Sequence, residues 1–408
     1  MQIVLRLAWR NLWRQPRRTW LTVGAMVFSN VLLVFMISLQ FGMYGMMIDN
    51  TLQAFTGHMQ VQAPGYNDEP KMRLTVPDIV PLAISLRQRL DTDSVAARGS
   101  AFALASSEER SFGIAIFGVE PDFEPIVSTI PGLVNDGAYF TDNMAAEIVI
   151  GEVLARNLKV EVGDELTLMG SGRDGSFAAA VVDIVGIFRS GVNDIDRSIT
   201  EVPLGFFQDV FFMGGSGHQV VINAPVLSEV PFMKERVLSA LPEENIVVHD
   251  WDVLQPGLKQ AIQADMSSAF FMYGLLVILV AFSVLNTQLM SVLERTHEFG
   301  ITMALGLKPG RLGRLVLLET LIMGLVGMAI GIVLGFALVS WLSVAGFAYP
   351  GMDEMAAKFN LPARMYPQPS WISLTLGPAV VLLFSVIAAL YPALRLHWMH
   401  PVEAMRAI

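Results

Sequence analysis

The segment ERTHEFGITMALGLKPGRLGR, residues 294–314, separates two long runs without charge and decides how the chain is organised. No acidic or basic residue occurs in residues 266–293 before it, and Glu319 is the only one between Arg314 and Asp353 after it. About 20 apolar residues are enough to cross the hydrocarbon core of a bilayer. The segment therefore predicts a polar connection between two transmembrane helices.

Two further uncharged runs, residues 19–48 and 365–394, bring the number of predicted spans to four. Only 16% of the 408 residues are charged, whereas soluble chains carry about 25%. Buried helices of a large soluble protein are the alternative, but such helices are shorter and have a charged solvent face. The first run is also about twice as long as the apolar part of a cleaved signal peptide, so we expect it to remain as an anchor.

Lys and Arg near the span ends predict the orientation, since basic residues are enriched in cytoplasmic loops. Five arginines precede the first span and no basic residue follows it until Lys71. The N-terminus and residues 294–314 are therefore predicted to be cytoplasmic. The predicted fold class is an α-helical membrane protein with four transmembrane helices and a mixed α/β extracytoplasmic domain inserted between the first and second spans.

The predicted boundaries follow from these runs. They are 1–18 for a cytoplasmic amphipathic elbow helix, 19–48 for the first span with a stalk, 49–265 for the extracytoplasmic domain, with a β-rich lobe at about 115–200, 266–293 for the second span with a stalk, 294–311 for a cytoplasmic helix, 312–345 for the third span, 346–369 for an extracytoplasmic loop, 370–394 for the fourth span and 395–408 for a cytoplasmic tail. The first two spans have about 30 residues where about 20 would cross, so they either tilt or continue outward as a stalk, which we favour.

The extracytoplasmic domain is acidic, with 31 acidic and 14 basic residues between Ile48 and Ser267, a net charge of −17. This charge disfavours nucleic acid and anionic lipid as partners and would suit a basic partner. A soluble acidic surface without such a partner is the alternative.

Four groups of side chains are candidates for membrane and substrate contacts. At the N-terminus, indoles and guanidinium groups alternate at helical spacing and predict a membrane-interface set of Trp9, Arg10, Trp13, Arg14, Arg17 and Arg18. In the third span, Gly327, Gly331 and Gly335 predict close helix packing, within the chain or between subunits. Adaptable methionines near the outer ends of the first two spans, Met36, Met43, Met47, Met266 and Met272, either contact an apolar substrate or face lipid. Glu319 lies inside the third span, where an acid is either functional or structural; we favour a structural role, in which it reaches the membrane surface or pairs with Arg314 or Arg395.

No pattern supports catalysis by this chain. The ATP-binding motif G-x-x-x-x-G-K-[ST] is missing, and GSGRDGSF, residues 170–177, predicts a hairpin turn because a strand-like run follows it. The histidines form no metal set. We therefore predict no catalytic residues, no metal and no cofactor in this chain.

The segment VLERTHEFGITMALGLKPGRLGRLVLLETLIMGLVGMAIGIVLG, together with the opening AWRNLWRQPRRTWLT and the ending YPALRLHWMHPVEAMR, resembles the FtsX/MacB-type ABC transporter permeases. The resemblance implies a separate ATPase subunit, in two copies, which binds ATP and magnesium. It implies a second permease chain, identical or paralogous, in the bacterial inner membrane. It also implies that the ATPase binds a coupling helix after the second span, formed here by Glu294, Arg295, Glu298, Gly300, Ala304, Leu305 and Gly306.

Two stretches, VGIFRSGVNDIDRSITEVPL and GHMQVQAPGY, are most similar to the lipoprotein-releasing (Lol-type) branch. That branch implies extraction or export of a lipoprotein or other hydrophobic substrate, with a periplasmic carrier or lipoprotein as a further partner. An FtsX-like signal transmitter that activates a periplasmic cell-wall enzyme is the alternative function.

Overall fold

The computed structural model describes residues 2–14, 16–241, 245–348, 350–352 and 364–398. They divide into two units. The membrane-spanning unit consists of the described residues within Met1–Tyr44, Ile262–Tyr349 and Arg364–Ile408, and the outer domain consists of those within Gly45–Ala261 and Pro350–Ala363. Residues 349 and 353–363 of the predicted loop 346–369 and residues 399–408 of the predicted tail 395–408 lie outside the described residues.

The helices begin where the sequence supplies the usual start signals. In chain order they are α1 (Gln2–Leu12), α2 (Pro16–Thr51), α3 (Ile79–Leu90), α4 (Glu124–Val127), α5 (Glu152–Leu158), α6 (Asn193–Ser198), α7 (Leu204–Val210), α8 (Val230–Ala240), α9 (Trp251–Leu254), α10 (Pro256–Glu294), α11 (Thr296–Ala304), α12 (Pro309–Ala345) and α13 (Trp371–Arg395). Proline opens α2, α10 and α12, where its fixed φ suits the first turn and its missing N–H costs nothing. Ser370 and Ser373 form a capping box at the start of α13.

Four of these helices, α2, α10, α12 and α13, are long and apolar enough to cross a membrane. With 36 and 39 residues, α2 and α10 are about 54 and 58 Å long, well beyond the roughly 30 Å of a hydrocarbon core. The division between the two units falls inside both helices, after Tyr44 and before Ile262. Each helix therefore contributes residues to both units. The continuation of the spans as a stalk stays a prediction.

The outer domain is built on a sheet of ten strands. They are β1 (Met59–Gln62), β2 (Val95–Ser106), β3 (Ser111–Val119), β4 (Val134–Gly137), β5 (Glu147–Gly151), β6 (Glu165–Ser171), β7 (Phe177–Phe188), β8 (Ile199–Pro203), β9 (Gln219–Ile222) and β10 (Val247–Asp250). The order is β10-β1-β9-β2-β3-β8-β5-β7-β4, and β6 pairs with β2 and β7. The pairs β3–β8 and β5–β7 are parallel, and the other pairs are antiparallel.

Two buried clusters cover different parts of this sheet. One packs α5 and α7 on strands β2, β3 and β5–β8, with Leu154 and Phe207 fully buried. The other packs α3 and α8 on β1, β2, β9 and β10, with Leu86 and Val237 fully buried. The lobe boundary predicted near residue 115 falls inside β3, which pairs with β2, so the two clusters share one sheet. The predicted hairpin is present, since β6 and β7 pair antiparallel on either side of residues 172–176.

A buried charged group lies in the outer domain, and the sequence did not indicate it. Arg98 Nε donates to Glu124 Oε2 at 3.0 Å, and its Nη1 donates to the Phe55 carbonyl at 2.5 Å. Beside them, the Tyr139 hydroxyl donates to Glu201 Oε2 at 2.8 Å. Burial, reinforced by the neighbouring Glu124 carboxylate, raises the pKa of Glu201 to about 8.

Candidate functional site

The predicted cytoplasmic connection consists of the short helix α11 between two sharp changes of direction. Arg295 separates α10 from α11 with a non-helical conformation, φ −98° and ψ 12°. After Ala304 the chain turns at Gly306, whose φ is +97°. This backbone conformation favours glycine because a Cβ atom would be strained against the residue's own backbone. Pro309 then opens α12. The helix therefore stands as a separate element between the second and third spans.

One face of α11 is packed inside the membrane-spanning unit. Phe299, Gly300 and Met303 are buried, and the Phe299 and Met303 side chains join an apolar cluster with residues of α10, α12 and α13. The opposite face is exposed and carries His297, Glu298, Ile301, Ala304 and Leu305. Leu305, the residue after the last turn of α11, is 80% exposed.

Arg295, one of the predicted coupling residues, is largely buried. Its side chain is only 16% exposed. Arg295 Nη1 donates to both carboxylate oxygens of Glu319, at 3.2 and 3.4 Å, and its guanidinium carbon lies 4.9 Å from the centre of the Phe299 ring. Arg295 therefore ties the start of α11 to the third span.

Glu319 is the buried centre of this arrangement. Besides Arg295, it accepts a hydrogen bond from Asn11 Nδ2 of the elbow helix α1 at 2.8 Å. The predicted pairing with Arg314 or Arg395 is replaced by pairing with Arg295, since the bend after Glu294 brings that guanidinium back along α12. Three elements, α1, the α10–α11 junction and α12, meet at one carboxylate.

A second ion pair links the first span to the same junction. Arg18 Nη1, near the start of α2, lies 3.1 Å from Glu294 Oε2 at the end of α10. Arg10, Arg14 and Arg17 are exposed. Of the predicted coupling residues, Gly300 is buried and Arg295 is largely buried in its pair with Glu319. The others are exposed: Glu294, Glu298, Ala304, Leu305 and Gly306.

The predicted membrane-interface tryptophans form a row on the surface. Trp9 and Trp13 are about half exposed, with ring centres 5.9 Å apart in edge-to-face geometry. Trp20, which the sequence analysis did not include, continues the row at 6.3 Å from Trp13. Exposed indoles of this kind are typical of the headgroup region of a bilayer.

The glycine stripe of the third span packs against the first span of the same chain. The three residues of the first span opposite the glycines also recur every four residues. A Cβ atom built on Gly327 would lie 2.8 Å from Met26 Cβ, one on Gly331 2.5 Å from Asn30 Cβ, and one on Gly335 3.0 Å from Val34 Cβ. Contacts this short leave no room for a side chain, so the stripe is an interface within the chain.

The comparison with known proteins agrees with this arrangement of spans and outer domain. The family described as "MacB-like periplasmic core domain" matches residues 19–226, half of the chain, and the family described as "FtsX-like permease C-terminal" matches residues 270–401. The chain belongs to the FtsX/MacB family of ABC transporter permeases. The outer domain of this permease is therefore a periplasmic-type domain, inserted between its first and second spans.

The permease is similar to curated proteins of the lipoprotein-releasing systems and also to other ABC transporter permeases. It is 25% identical to the lipoprotein-releasing system transmembrane protein LolC of Xylella fastidiosa, over 71% of this chain and 72% of the relative. It is 24% identical to LolE of Haemophilus influenzae, over 72% of each chain. It is 30% identical to the uncharacterized ABC transporter permease YknZ of Bacillus subtilis, over 67% of this chain and 66% of the relative. Identity alone therefore does not single out the Lol branch.

The methionines predicted for substrate contact are spread along the outer parts of α2 and α10 of the permease. Met43, Met47 and Met272 are exposed, and Met36 and Met266 are half-buried. Met266 lines a small apolar recess with Ile37, Phe41, Phe270, Ile372 and Leu376.

Beside that recess, the permease holds a polar group that the sequence analysis missed. Tyr44 donates to Asp265 Oδ2 at 2.7 Å, Gln40 Nε2 donates to the same oxygen at 3.2 Å, and Tyr273 donates to Gln40 Oε1 at 2.6 Å. These bonds join the outer parts of the first two spans. The i, i+4 spacing of Gln40 and Tyr44, opposite the last acid before the second uncharged run, was the available signal. Among the described residues, no group of His, Cys, Asp and Glu is placed to hold a metal ion.

Proposed function

We propose that this permease is the membrane subunit of an inner-membrane ABC transporter that extracts or exports a lipoprotein or another hydrophobic substrate at the periplasmic face. A separate ATPase, in two copies, binds ATP and magnesium and drives the transporter. A second permease chain, identical or paralogous, completes it. A periplasmic carrier or the lipoprotein itself is the partner of the outer domain.

The observation that carries this proposal is the two-faced helix α11. Its inner face is held by Phe299, Met303 and the Arg295–Glu319 ion pair, so a force on its outer face reaches both α10 and α12. Its outer face presents a carboxylate, Glu298, beside the apolar side chains of Ile301 and Leu305. This combination suits a groove on a soluble protein that offers a basic residue and an apolar surface.

Lipoprotein or hydrophobic cargo is supported by two features. The relatives named LolC and LolE align with more than two thirds of the chain. In addition, the outer half of α10 carries the exposed apolar residues Phe270, Phe271 and Met272. Thioether side chains adapt to irregular apolar ligands such as acyl chains.

The ATPase contact is tested by replacing an apolar side chain of the exposed face with a charged one. We expect Leu305→Asp to reduce the amount of ATP-binding subunit that co-purifies with affinity-tagged permease by about 10-fold or more, since burying a leucine contributes roughly 1.5–3 kcal/mol. The measurement is quantitative mass spectrometry of the purified complex. Leu238→Asp is the matched control, because Leu238 is an exposed leucine of α8 in the outer domain.

Equal recovery of the ATPase with Leu305→Asp and Leu238→Asp would contradict this role of α11. The cargo is tested on the same material. Lipoprotein or lipid that co-purifies with the permease and leaves on addition of ATP and magnesium supports extraction. A co-purifying cell-wall hydrolase that ATP activates supports the signal-transmitter alternative instead.

A further inference from the structure

A polar pocket of about 230 Å³ lies in the membrane-spanning unit at its cytoplasmic end. The elbow helix α1 and the spans α2, α10 and α12 form its walls. Its polar lining includes Arg14, Arg18, Thr22, Gln288 and Ser291. The pocket also reaches the start of α11, because Arg295 and Glu298 are among its lining residues. Ile301 and Leu305, the apolar side chains of the proposed ATPase contact, do not line it.

Two buried polar atoms of this pocket lack hydrogen-bond partners among the described residues. Arg18 uses Nη1 for Glu294, but its Nη2 is buried and unpaired. Gln288 is 3% exposed, and its Oε1 is also buried and unpaired. A buried polar group without a partner costs about 1–3 kcal/mol. The pocket therefore favours an occupant with an acceptor for Arg18 and a donor for Gln288.

The charges of the pocket favour an anion. The Arg295 guanidinium is already committed to Glu319 and Glu298. Arg14 is exposed and makes no ion pair within the described ranges, and Arg18 keeps its second terminal nitrogen free of a partner. Guanidinium groups bind phosphate through charge-assisted hydrogen bonds, which are among the stronger hydrogen bonds in proteins.

An apolar groove continues directly from this pocket. The groove is lined by the three indoles of Trp9, Trp13 and Trp20 and by apolar residues of α2 and α12, and it shares Leu12, Thr19 and Met323 with the pocket. A molecule with an anionic head and an apolar tail fits both parts. A free anion leaves the groove empty, and a plain hydrocarbon leaves the polar atoms unpaired.

We infer that the permease holds one phospholipid of the cytoplasmic leaflet at this place. Its phosphate accepts hydrogen bonds from Arg18 and Arg14, a hydroxyl of its headgroup donates to Gln288, and one acyl chain lies along the tryptophan groove. Phospholipid is present at high concentration at this depth, where interfacial indoles and arginines also lie. The bound lipid joins α1 to α10 and α12 beside the Arg295–Glu319 ion pair.

The test uses the full-length permease without any ATPase, so that it is independent of the proposed transport function. Delipidated protein is titrated with phosphatidylglycerol in detergent, and native mass spectrometry measures the fraction that carries one lipid. We expect Arg14→Gln and Gln288→Leu each to weaken binding of the first lipid by about 10-fold, as expected for loss of a hydrogen bond that involves a charged or buried group. Arg17→Gln is the matched control, because Arg17 is an exposed arginine of the same region that does not line the pocket.

The unfolding temperature separates loss of binding from loss of folding. Without lipid, Gln288→Leu should melt at or above the temperature of the unmodified chain because it removes an unpaired buried oxygen, while its upward shift on adding phosphatidylglycerol should be smaller. Equal binding by Arg14→Gln, Gln288→Leu and Arg17→Gln would overturn the inference. An equal stabilisation by millimolar inorganic phosphate would assign the pocket to a free anion and would overturn it as well.

Discussion

Arg295 and Glu319 connect the short helix α11 to the spans at the level of single residues. Both side chains are largely buried, at the predicted cytoplasmic edge of the membrane, and Asn11 donates to the same carboxylate. Breaking a pair of this kind on one side leaves the other charge without a partner, which costs more than the pair itself contributes. The pair therefore holds α11 in one position.

This arrangement predicts strong coupling between the two residues. We expect Glu319→Ala to lower the free energy of unfolding by about 1–3 kcal/mol, because Arg295 and Asn11 lose their shared acceptor. Arg295→Ala with Glu319→Ala should cost less than the sum of the single changes. The measurement is unfolding in mixed detergent and dodecyl sulfate.

Glu298→Ala is the control for this cycle. Glu298 also lies near Arg295, at 3.4 Å, but its side chain is 54% exposed, so its pair contributes less than about 1 kcal/mol. Strictly additive effects of the Arg295 and Glu319 substitutions would contradict the proposed tie between α11 and the third span.

At the scale of elements, the packing of the third span depends on three positions without a side chain. Gly327, Gly331 and Gly335 leave a groove for Met26, Asn30 and Val34 of the first span, at the same four-residue spacing. In a membrane, such close packing replaces the hydrophobic driving force that joins helices in water. The same contact buries Asn30.

A pair of glycine substitutions tests this packing. We expect Gly331→Ala to destabilise the membrane-spanning unit by about 1–3 kcal/mol, because the new Cβ would lie 2.5 Å from Asn30 Cβ. Gly274→Ala in α10 is the control, since nothing lies within 4 Å of its Cβ position, and there alanine should be neutral or stabilising. Adding Asn30→Gly should partly restore the Gly331→Ala protein. Equal stability of Gly331→Ala and Gly274→Ala in unfolding experiments would show that the helices do not pack in this way.

At the scale of the whole molecule, two long helices pass from the membrane-spanning unit into the outer domain. The first continues through Thr51, and the second begins at Pro256. The proposed transporter requires that a displacement of α11 reaches the outer domain, and an unbroken helix is the stiffest connection that a single chain segment provides. We propose that α2 and α10 carry this motion.

A break in the first of these helices should separate ATP hydrolysis from transport. In Met46→Pro, proline removes a backbone hydrogen bond and clashes with the carbonyl of Gly42, which costs about 3 kcal/mol or more in a helix interior. We expect release of lipoproteins from spheroplasts to fall about 10-fold or more, while ATP hydrolysis by the purified complex changes by less than about 2-fold. We expect ATP hydrolysis to change little because the break is in α2, whereas the proposed ATPase contact is at α11. A 10-fold change corresponds to about 1.4 kcal/mol.

Met46→Ala is the matched variant and should behave like the unmodified chain, since alanine preserves the helix. Transport that persists in Met46→Pro at the level of Met46→Ala would contradict transmission through α2. Loss of ATP hydrolysis in Met46→Pro but not in Met46→Ala would contradict the expectation that a break in α2 leaves ATP hydrolysis unchanged, and would count against the proposal.

The sequence by itself determined the four apolar helices, the inserted α/β domain and the family, because each depends on local composition or on contiguous motifs. A run without charge can cross a bilayer wherever it lies in the fold. Tertiary structure decided which partners the polar residues find: Glu319 with Arg295 and Asn11, Arg98 with Glu124, and Gly331 with Asn30. These partners are far apart in the sequence, and a charge or a glycine carries no local record of what it will meet. Only the packing of the helices and strands brings them together.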